Sequence, residues 1–581
     1  MNKPTDTAVK DAWPSLRAGV ALIFLVTIMA YLPILRGGFI WDDDVLLIEN
    51  HLVKASDGLY RYWFTTEAAE YYPLAGSLRW VEWRLFGMAP LGYHVVNVLL
   101  HAANAILVWL VLRRLKILGA WLAALVFAIH PVNVATVAWI SEQKNTLSML
   151  FYAVAILLYL KFGEEGRWRC YGLSLVAFVL ALLSKTAVVM LPVVLLGCVW
   201  WTRGRVRAKD LFQTAPFFVL SLVFGLVTIW IHDTHGLKAL AIQPESFAFR
   251  LAAAGRALWF YLSKALLPAD LMAVYPKWTI DTSSWVSYVP GALVIASLMA
   301  FWWKRGTWGR PLLFGLGYFV VMLFPVLGFF YQSFYRYSWV ADHWQYYSIV
   351  GVIGLGVAAA MAIYRRLDRQ QQSWGAVAGL AILVALGSST WTRAGVYASE
   401  KTLWQDAVSK NPQAWVAHYN LGTWFLQAGR FDEAIVELRE TARLRPDLVK
   451  VHSNLGIALA QDDKIPEAIE QFEQALQIDP NLFEVHSNLG HALILLGKVP
   501  EAMSHWEQAL RIQPDSAEVH YDLGMSLERM GQREDAVEHY KQALKFNPDL
   551  TDAQNALMRL RAKQGRIDGA ITQVLRFGSV W

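Results

Sequence analysis

Apolar stretches separated by short basic segments occupy the first two thirds of the chain. The first runs from about Ala18 to Leu35. Eleven more are centred near residues 102, 126, 154, 177, 194, 221, 259, 296, 320, 353 and 382. Several are long enough to cross a hydrocarbon core, which takes roughly 20 helical residues. The first lacks a small-residue cleavage site and exceeds the apolar core of a signal peptide, so we predict a retained membrane helix. The pattern predicts a polytopic membrane domain over residues 1–391.

Basic residues in the short loops predict which ends of these helices face the cytoplasm. Between the basic clusters that end at Lys209 and start at Lys304 the chain must cross an even number of times, yet three apolar stretches occur there. We therefore predict that residues 250–268 are interfacial, which leaves eleven crossings. An odd number places residues 36–90 and the polar C-terminal region on the non-cytoplasmic side. The basic clusters lie at residues 3–17, 113–116, 161–169, 203–209, 304–310 and 365–369.

A different pattern governs residues 412–581, where prolines and an Asn/Asp-Leu-Gly triplet return at a constant interval. This period, roughly 34 residues, is typical of tetratricopeptide (TPR) helix hairpins, which bury their apolar faces by stacking into a superhelix with a concave groove. We predict about five such repeats, preceded by a linker helix over residues 392–411. The prolines are Pro412, Pro446, Pro480, Pro514 and Pro548, and the small position Ala434, Ala468, Ala502, Ala536 and Ala570 keeps the same period.

Composition agrees with an all-α membrane protein that carries a polar C-terminal region. Hydrophobic residues make up 56% of the 581, charged residues 17%, and mean hydropathy is +0.34, which is too apolar for a soluble chain. A net charge of +6 gives no case for nucleic-acid binding. The two cysteines offer neither a disulfide framework nor metal-type spacing.

Three consecutive carboxylates, Asp42, Asp43 and Asp44, follow the first predicted membrane helix. Crowding raises the pKa of at least one of them unless a cation, a metal or a hydrogen-bond donor compensates. The motif therefore predicts a base or a divalent-metal site, with Asp42 and Asp43 as the ligands if a metal binds. The alternative is a solvated acidic patch at a helix end.

Several ionisable residues lie at predicted outer ends of membrane helices. Charges at membrane depth are costly and usually functional, and outer lysines run against the positive-inside bias. Lysines that converge near an acidic loop predict a site for an anionic headgroup, most simply phosphate. Taken singly, each lysine could instead snorkel or pair with a carboxylate. The residues are His130, Glu142, Lys144, Lys185, Lys264, Asp342 and His343.

Polar residues also line one face of the second membrane helix, where His94, Asn97, His101 and Asn104 recur at helical spacing. A zinc site is a poor interpretation because no third matched ligand accompanies the histidines. We predict that this face is buried in the bundle and held by structural hydrogen bonds.

In the repeats, one position of the first helix forms a polar series that ends in an acid. A carboxamide can donate and accept at once, which suits it to holding an extended peptide backbone. A histidine series two residues earlier lies about 200° round the helix and cannot line the same strip. We predict that the groove is lined by Asn420, Asn454, Asn488 and Asp522 rather than by His418, His452, His486 and His520.

Motifs throughout the membrane half, together with the repeats, resemble the transmembrane-and-TPR-repeat-containing proteins. The eukaryotic members of that family are protein O-mannosyltransferases of the GT-C class, and many bacterial relatives exist. The resemblance implies a GT-C-like bundle, here in a bacterial inner membrane. The motifs are Phe39 to Asp43, Asn50, Tyr71 to Leu74, Gly92 to His94, His130-Pro131, Ala138 to Glu142, Ser184-Lys185, Pro268 to Leu271, Tyr275-Pro276 and Ala341-Asp342.

GT-C enzymes, as the resemblance implies, take a sugar from a polyprenyl-phosphate carrier on the non-cytoplasmic face and use an acidic residue of the first outer loop. By position, Asp42 and Asp43 become the catalytic candidates, with Asp43 the first choice as base. Donor phosphate would bind Lys144, Lys185, Lys264 and His343, and the site would also be lined by Asp44, His94, His130, Glu142 and Asp342.

The chain departs from the bacterial pattern at five positions where ionic residues are expected. The departures are Asn133, Ala135, Gln143, Asn145 and His343. They are compatible with charge pairs lost together, with a changed donor or with impaired catalysis.

The resulting hypothesis is a membrane glycosyltransferase that moves a sugar from a lipid-phosphate donor to Ser or Thr hydroxyls of proteins held by the repeats. Two alternatives stay open at this point. One is a non-enzymatic, membrane-anchored TPR scaffold for envelope or pilus-like assembly. The other is a transporter, which the lack of an internal repeat in the membrane half disfavours.

Overall fold

The structure, a computed structural model, describes residues 15–68, 70–234, 245–330 and 332–562. In these ranges every regular element is a helix or a helical turn, and no β-strand occurs. The chain divides into two compact units, Met1–Ala414 and Trp415–Trp581. The predicted all-α class is confirmed.

The first unit contains seventeen α-helices within the described ranges, joined in places by short 3-10 turns. They are α1 (Leu16–Tyr31), α2 (His51–Lys54), α3 (Gly58–Phe64), α4 (Pro73–Phe86), α5 (Pro90–Arg114), α6 (Ala120–Ala128), α7 (Val134–Ala138), α8 (Gln143–Glu165), α9 (Trp168–Ser184), α10 (Leu191–Arg203), α11 (Ala208–Thr234), α12 (Phe247–Leu266), α13 (Val289–Trp303), α14 (Gly309–Leu323), α15 (Ile349–Tyr364), α16 (Arg369–Val396) and α17 (Glu400–Lys410).

Eight helices of the described residues are long and apolar enough to cross a membrane, and a ninth span results if the bent pair α6–α7 counts as one. The break lies between Ala128 and Pro131, which begins the second arm, and the pair is bent there by 48°. The shorter apolar helices α9 and α15 would also have to cross to give the predicted eleven. Helix α12, in the region predicted to be interfacial, is not among the candidate spans.

Helix α5 lies at the centre of the bundle, where it packs against α1, α6 and α8. Pro90 begins this helix and Arg113 and Arg114 end it, as expected from the proline preference for the first turn and the favourable interaction of cations with a helix C-terminus. Its polar face is buried, and three of the four predicted residues, Asn97, His101 and Asn104, make hydrogen bonds within the bundle. The Asn97 amide reaches the Thr136 and Val137 carbonyls at 3.2 and 2.8 Å, which confirms a structural role for this residue.

The loop predicted over residues 36–90 folds into the short helices α2 and α3 and the longer α4. The Asn50 side chain caps α2 by accepting from the N–H groups of Leu52 and Val53. Apolar side chains of the loop then pack onto Tyr93 of α5 and Ile140, which lies just before α8. The loop is thereby fixed on one end of the bundle.

Residues 392–411, predicted as a linker helix, contain the last turn of α16 and all of α17. The Arg393 guanidinium of α16 pairs with the Asp406 carboxylate of α17 at 2.6 Å. Lys410 donates to the Leu271 carbonyl at 3.0 Å, and Asn411 donates to the Val274 carbonyl at 3.2 Å. These contacts make α17 part of the membrane unit.

The second unit consists of antiparallel helix pairs. Their alanine positions are buried, and a glycine in the first helix of each pair faces a large side chain of the second, as Gly456 faces Phe472. Residues 551–562 are also helical, whereas Ala570 and residues 563–581 lie outside the described residues. The paired helices are α18 (Trp415–Gln427) with α19 (Phe431–Leu444), α20 (Val449–Gln461) with α21 (Ile465–Ile478), α22 (Phe483–Leu495) with α23 (Val499–Ile512), and α24 (Ala517–Arg529) with α25 (Arg533–Phe546).

Candidate active site

The backbone of the acidic motif is strained at Trp41. This residue has φ of 52°, a left-handed conformation that L side chains rarely adopt and that costs on the order of 1 kcal/mol or more. Two contacts hold it there. Its N–H donates to Glu400 Oε1 at 3.0 Å, and its indole stacks on Trp139 with ring centroids 4.9 Å apart. The strained turn separates the side chains of Asp42 and Asp43 into different surroundings.

Asp43 is fully buried, and both of its oxygens accept hydrogen bonds. Oδ2 accepts from the Ile40 N–H at 3.0 Å, and Oδ1 accepts from the N–H of Ser141 at 2.8 Å and from its hydroxyl. Burial raises the pKa of Asp43 to about 7, although the Ser141 hydrogen bonds oppose the shift. The carboxylate therefore fastens the motif to the segment that leads into α8.

Asp42 is half-buried, and within the described residues its carboxylate makes no hydrogen bond. Burial raises the pKa of Asp42 to about 6, with Lys144 and Arg336 opposing this shift and Glu142 and Glu70 adding to it. Of the two predicted catalytic aspartates, this is the one with a free carboxylate beside the lysine cluster. Asp44 lies at the start of a short helical turn with its side chain largely exposed. Partial desolvation raises the pKa of Asp44, and the negative charge of Glu49 adds to this shift.

The lysine cluster joins two of the three lysines predicted to bind phosphate. Lys185 contacts the Glu142 carboxylate at 3.2 Å, and Lys144 contacts the same carboxylate at 3.8 Å and that of Glu70 at 2.8 Å. Both lysine side chains are largely buried, with exposed fractions of 15% for Lys185 and 10% for Lys144. Two buried cations balanced by two carboxylates thus lie next to the acidic motif.

Lys264 lies elsewhere. Its ammonium donates to the Ala269 and Asp270 carbonyls at 2.6 and 3.3 Å, just beyond the end of α12. In the described part of the chain it makes no hydrogen bond or ion pair with the cluster residues. The structure therefore does not bring Lys264 together with the other two predicted lysines.

His343 lies beside the cluster, with its ring edge-on to Trp139 at 5.8 Å between centroids. Burial lowers the pKa of His343 to about 4, while Glu142 opposes the shift. The neighbouring Asp342 points to another partner, because it accepts from the Tyr275 hydroxyl at 2.7 Å. Burial raises the pKa of Asp342 to about 6, with Arg393 opposing. Only His343 of this predicted pair belongs to the cluster.

The two remaining predicted histidines are buried below the motif. His94 lies under the Gly37–Gly38 turn, where a side chain in place of Gly37 would come within 3.3 Å of its Nε2. His130 accepts from the Val132 N–H at 3.4 Å, so its other nitrogen donates to the Ala265 carbonyl at 3.2 Å. His130 thereby connects the segment between α6 and α7 to the end of α12.

The sequence analysis missed four groups around the site: Glu70, Arg79, Glu82 and Arg336. Arg79 and Glu82 are buried on α4, and Gln143 donates to the Glu82 carboxylate at 2.7 Å. Although burial opposes it, the Lys144 ammonium lowers the pKa of Glu70. The sequence does carry a signal for two of these residues. Arg79 and Glu82 are oppositely charged and three residues apart on α4, so they lie on one face of the helix.

Of the two predicted metal ligands, Asp43 already accepts hydrogen bonds through both oxygens, whereas Asp42 accepts none from the described residues. In the ranges that the structure describes, no three His, Cys, Asp or Glu side chains converge as a metal-binding group. No chemical step below is routed through a metal.

In the repeat unit, the predicted groove residues are half-buried and variously bonded. The Asn454 amide donates to Tyr419 and Thr423 at 3.3 Å each, and Asp522 pairs with His491 at 2.7 Å. The Asn420 amide nitrogen is buried with no hydrogen-bond partner among the described residues. Asn488 is half-buried at the equivalent position of α22.

The histidine series has a structural role in these repeats. His452 and His486 each reach the carbonyl of the preceding repeat proline, at 2.9 and 3.0 Å. Their other nitrogens meet the residue nineteen positions later, Gln471 and His505 respectively, on the second helix of the hairpin. These contacts fit the prediction that the histidines do not line the groove.

Known families match different parts of the chain. Residues 73–231 match the family described as dolichyl-phosphate-mannose-protein mannosyltransferase, a range that includes Glu82, Glu142, Lys144 and Lys185. Tetratricopeptide repeat families match residues 398–449, 460–497 and 481–549. The predicted resemblance is confirmed. Residues 73–231 are thus similar to a mannosyltransferase family, and most of residues 398–549 are similar to TPR repeats.

Among these relatives, protein O-mannosyl-transferase F38B6.6 of Caenorhabditis elegans is 23% identical over 72% of this chain and 62% of its own. Protein O-mannosyl-transferase TMTC4 of Homo sapiens is 24% identical over 71% of this chain and 64% of its own. Tmtc1 of Drosophila melanogaster is 30% identical over 29% of this chain and 21% of its own. The chain thus spans less than two thirds of these relatives, which support a glycosyltransferase assignment.

Solved structures similar to the chain match about a quarter to a third of its length. MamA is 20% identical over 27% of this chain and 91% of its own, with a TM-score of 0.26. YrrB, described as a TPR protein with an unusual peptide-binding site, is 19% identical over 34% of this chain and 97% of its own, also with a TM-score of 0.26. Scores of this size carry no further argument.

Proposed function

We propose that this protein is a membrane glycosyltransferase that moves a sugar from a polyprenyl-phosphate donor to Ser or Thr hydroxyls of proteins held by the TPR groove. The observation that carries the proposal is the free carboxylate of Asp42 beside the buried Lys144 and Lys185. A base next to fixed cations is what glycosyl transfer from a phosphate leaving group requires.

In the proposed reaction the acceptor hydroxyl oxygen attacks the anomeric carbon of the donor sugar. The bond from that carbon to the phosphate oxygen breaks, and the polyprenyl phosphate leaves with the bonding electrons. Asp42 takes the hydroxyl proton. Its pKa of about 6 leaves the carboxylate mostly ionised at neutral pH, yet basic enough to accept a proton in the transition state. Asp43 positions the motif through Ser141 rather than taking the proton.

Lys144 and Lys185 would hold the phosphate of the donor. Glu142 contacts both ammonium groups, while Glu70 contacts Lys144 alone. If Glu70 moves away, Glu142 still pairs with Lys185 and Lys144, whereas loss of Glu142 would leave Lys185 without its carboxylate. We therefore assign Glu70 as the carboxylate that a donor phosphate replaces. His343 lies beside these lysines; burial lowers its pKa to about 4, and the negative charge of a bound phosphate would oppose that shift.

The neutral residues at expected ionic positions are compatible with this chemistry. The Gln143 and Asn145 amides each donate to a buried carboxylate, those of Glu82 and Glu142 respectively. An amide satisfies a carboxylate without adding charge, so these departures leave the lysine and glutamate pairs intact.

Acceptor proteins would bind along Asn420, Asn454, Asn488 and Asp522. A carboxamide at this position can donate to a peptide carbonyl and accept from a peptide N–H at the same time. The position recurs once in each repeat, so an extended peptide would meet several amides in succession.

The test is the Asp42→Asn variant of the full-length protein, assayed in membranes with a radiolabelled polyprenyl-phosphate mannose and Ser/Thr-containing acceptor peptides. We expect transfer to fall by roughly 10²–10⁴-fold, the usual worth of a general base. The exposed neighbour supplies a matched control, since Asp44→Asn makes the same change two residues away and is expected to retain activity. Transfer by Asp42→Asn at the wild-type rate would refute the assignment of the base.

A separate result would refute the transferase itself. If wild-type protein transfers no sugar from any polyprenyl-phosphate hexose while still capturing peptides through the repeats, the protein is a scaffold. Lys185→Ala sharpens the outcome, because a phosphate contact predicts a raised KM for the donor with the KM for the peptide unchanged.

A further inference from the structure

A cavity of about 540 Å³ lies in the membrane unit between α5, α8, α10, α14 and α15. Its size is within the range of about 300–1,000 Å³ usual for small-molecule sites. The walls are almost wholly apolar, with Leu112, Ala153, Val194 and Leu355 as representative side chains. A lining of this kind offers water few hydrogen-bond partners, so a hydrocarbon chain suits it better.

The cavity reaches the surface at the end of the bundle that carries basic loops. Several of its lining residues are exposed there, among them Lys116, Trp308 and Pro311. In the described part of the chain the Lys116 ammonium makes no hydrogen bond or ion pair. An apolar lumen with a free cation and a tryptophan at its mouth is complementary to a lipid with an anionic headgroup.

The opposite end of the cavity is closed toward the candidate active site. Tyr152 donates to the Tyr318 hydroxyl at 3.3 Å, Tyr318 donates to the Tyr347 carbonyl at 3.1 Å, and Tyr347 donates to the Asn145 carbonyl at 3.2 Å. These tyrosines lie between the cavity and Glu142. Leu112, which lines the cavity, is 18 residues from His94 along α5. At 1.5 Å per residue this separation is roughly 27 Å.

We propose that the cavity binds one acyl chain of an anionic phospholipid from the leaflet at the basic-loop end, with the phosphate at Lys116. This lipid is neither donor nor acceptor in the transfer reaction. It fills space between helices that would otherwise lose packing contacts, and it stabilises the bundle. The proposal stands on the cavity and its mouth, whatever reaction the acidic motif performs.

Gly354 offers a way to fill the cavity without disturbing its walls. It lines the cavity, and a Cβ added there would meet only Leu112, at 3.7 and 3.9 Å, which are ordinary contacts. Gly354→Leu therefore places a side chain in the lumen. Gly356→Leu is the matched control, because Gly356 is on the same helix, is exposed and has no neighbour within 4 Å of an added Cβ.

The experiment compares full-length wild type, Gly354→Leu and Gly356→Leu purified in mild detergent, using native mass spectrometry and lipid extraction. Wild type and Gly356→Leu should retain one anionic phospholipid per chain, and Gly354→Leu should show at least fivefold lower occupancy. Added phosphatidylglycerol should raise the thermal midpoint of wild type and of Gly356→Leu but not of Gly354→Leu. Equal lipid occupancy in all three proteins would overturn the proposal.

Two further measurements keep the proposal testable if Gly354→Leu does not fold. A phosphatidylglycerol with a photoreactive acyl terminus should crosslink to wild type at residues of α8 or α10 that line the cavity, and crosslinks confined to the protein exterior would contradict the site. Lys116→Glu should lower retention of phosphatidylglycerol but not of phosphatidylethanolamine. Recovery of a polyprenyl phosphate from the cavity would also overturn the proposal, because the occupant would then be the donor tail.

Discussion

The membrane unit and the repeat unit use buried polar groups in opposite ways. In the repeats the histidine contacts recur, so that His452 with Gln471 is followed one period later by His486 with His505. In the membrane unit each contact occurs once, and Glu142 alone holds both Lys144 and Lys185. A contact that recurs in the repeats can change at one position with little effect on stability. Loss of a carboxylate that contacts two buried lysines should have a large effect. The predictions below test that difference.

The largest effect is expected from Glu142→Gln, which removes the carboxylate shared by two buried lysines. Leaving a buried cation without its partner costs about 3–5 kcal/mol. We expect a large drop in the thermal unfolding midpoint in detergent, together with loss of transfer. Glu164→Gln near the end of α8, the helix that Glu142 precedes, is the control, because its ion pair with Arg114 is half-exposed and worth at most about 1 kcal/mol. Equal destabilisation by both variants would contradict the comparison.

The pH dependence of transfer should report the raised pKa of Asp42. The base is active when ionised, so the rate should be constant above a pKa of about 6 and fall as pH decreases through it, approaching tenfold per pH unit. The measurement is kcat/KM for the acceptor between pH 5 and 8. A rate that stays constant down to pH 5 would show that another group takes the proton.

In the repeats, Gly456→Ala should destabilise by about 1–3 kcal/mol, the usual cost of overpacking. An added Cβ would lie 2.6 Å from the Phe472 ring, which cannot move without disturbing the hairpin. Gly387→Ala makes the same change on α16 with no neighbour within 4 Å, and should be neutral or slightly stabilising. Chemical denaturation of the full-length protein would distinguish the two.

The smallest effect is expected from His505→Gln. The previous repeat already pairs its histidine with Gln471 at 2.9 Å, so the substitution should change the free energy of unfolding by less than about 0.5 kcal/mol. The same denaturation experiment measures it. A loss of stability as large as that expected for Gly456→Ala would show that equivalent positions of different repeats are not interchangeable.

The same contrast explains what could be predicted from the sequence. The repeat helices follow from a period, and the apolar stretches follow from length, so both units were predictable. The convergence of Lys144 and Lys185 was also predictable. Lys144 lies in the first turn of α8 and Lys185 directly follows α9, so both lie at the same end of the bundle. Glu70, the partner of Lys144, comes from a distant loop, and so does Arg336, the second cation near Asp42. No local pattern specifies such contacts, which are set by packing of the whole bundle.

The assignment of the base shows the limit most clearly. Asp42 and Asp43 are adjacent and chemically identical, and the sequence favoured Asp43. Their difference arises from the left-handed Trp41, which directs one side chain to Ser141 and leaves the other beside the lysines. A backbone conformation of this kind depends on contacts across the fold and has no signature in the residue types.

The hydrogen bond from Trp41 to Glu400 bears on how this protein can be shortened. Glu400 is 359 residues away along the chain and begins the helix that ends at Lys410. A truncated form that stops after the last membrane helix, before residue 400, would remove the acceptor that keeps Trp41 in its strained conformation. Loss of the proposed transfer activity in such a form would then report a collapsed acidic motif and not the missing repeats, so a shortened form should extend through residue 414.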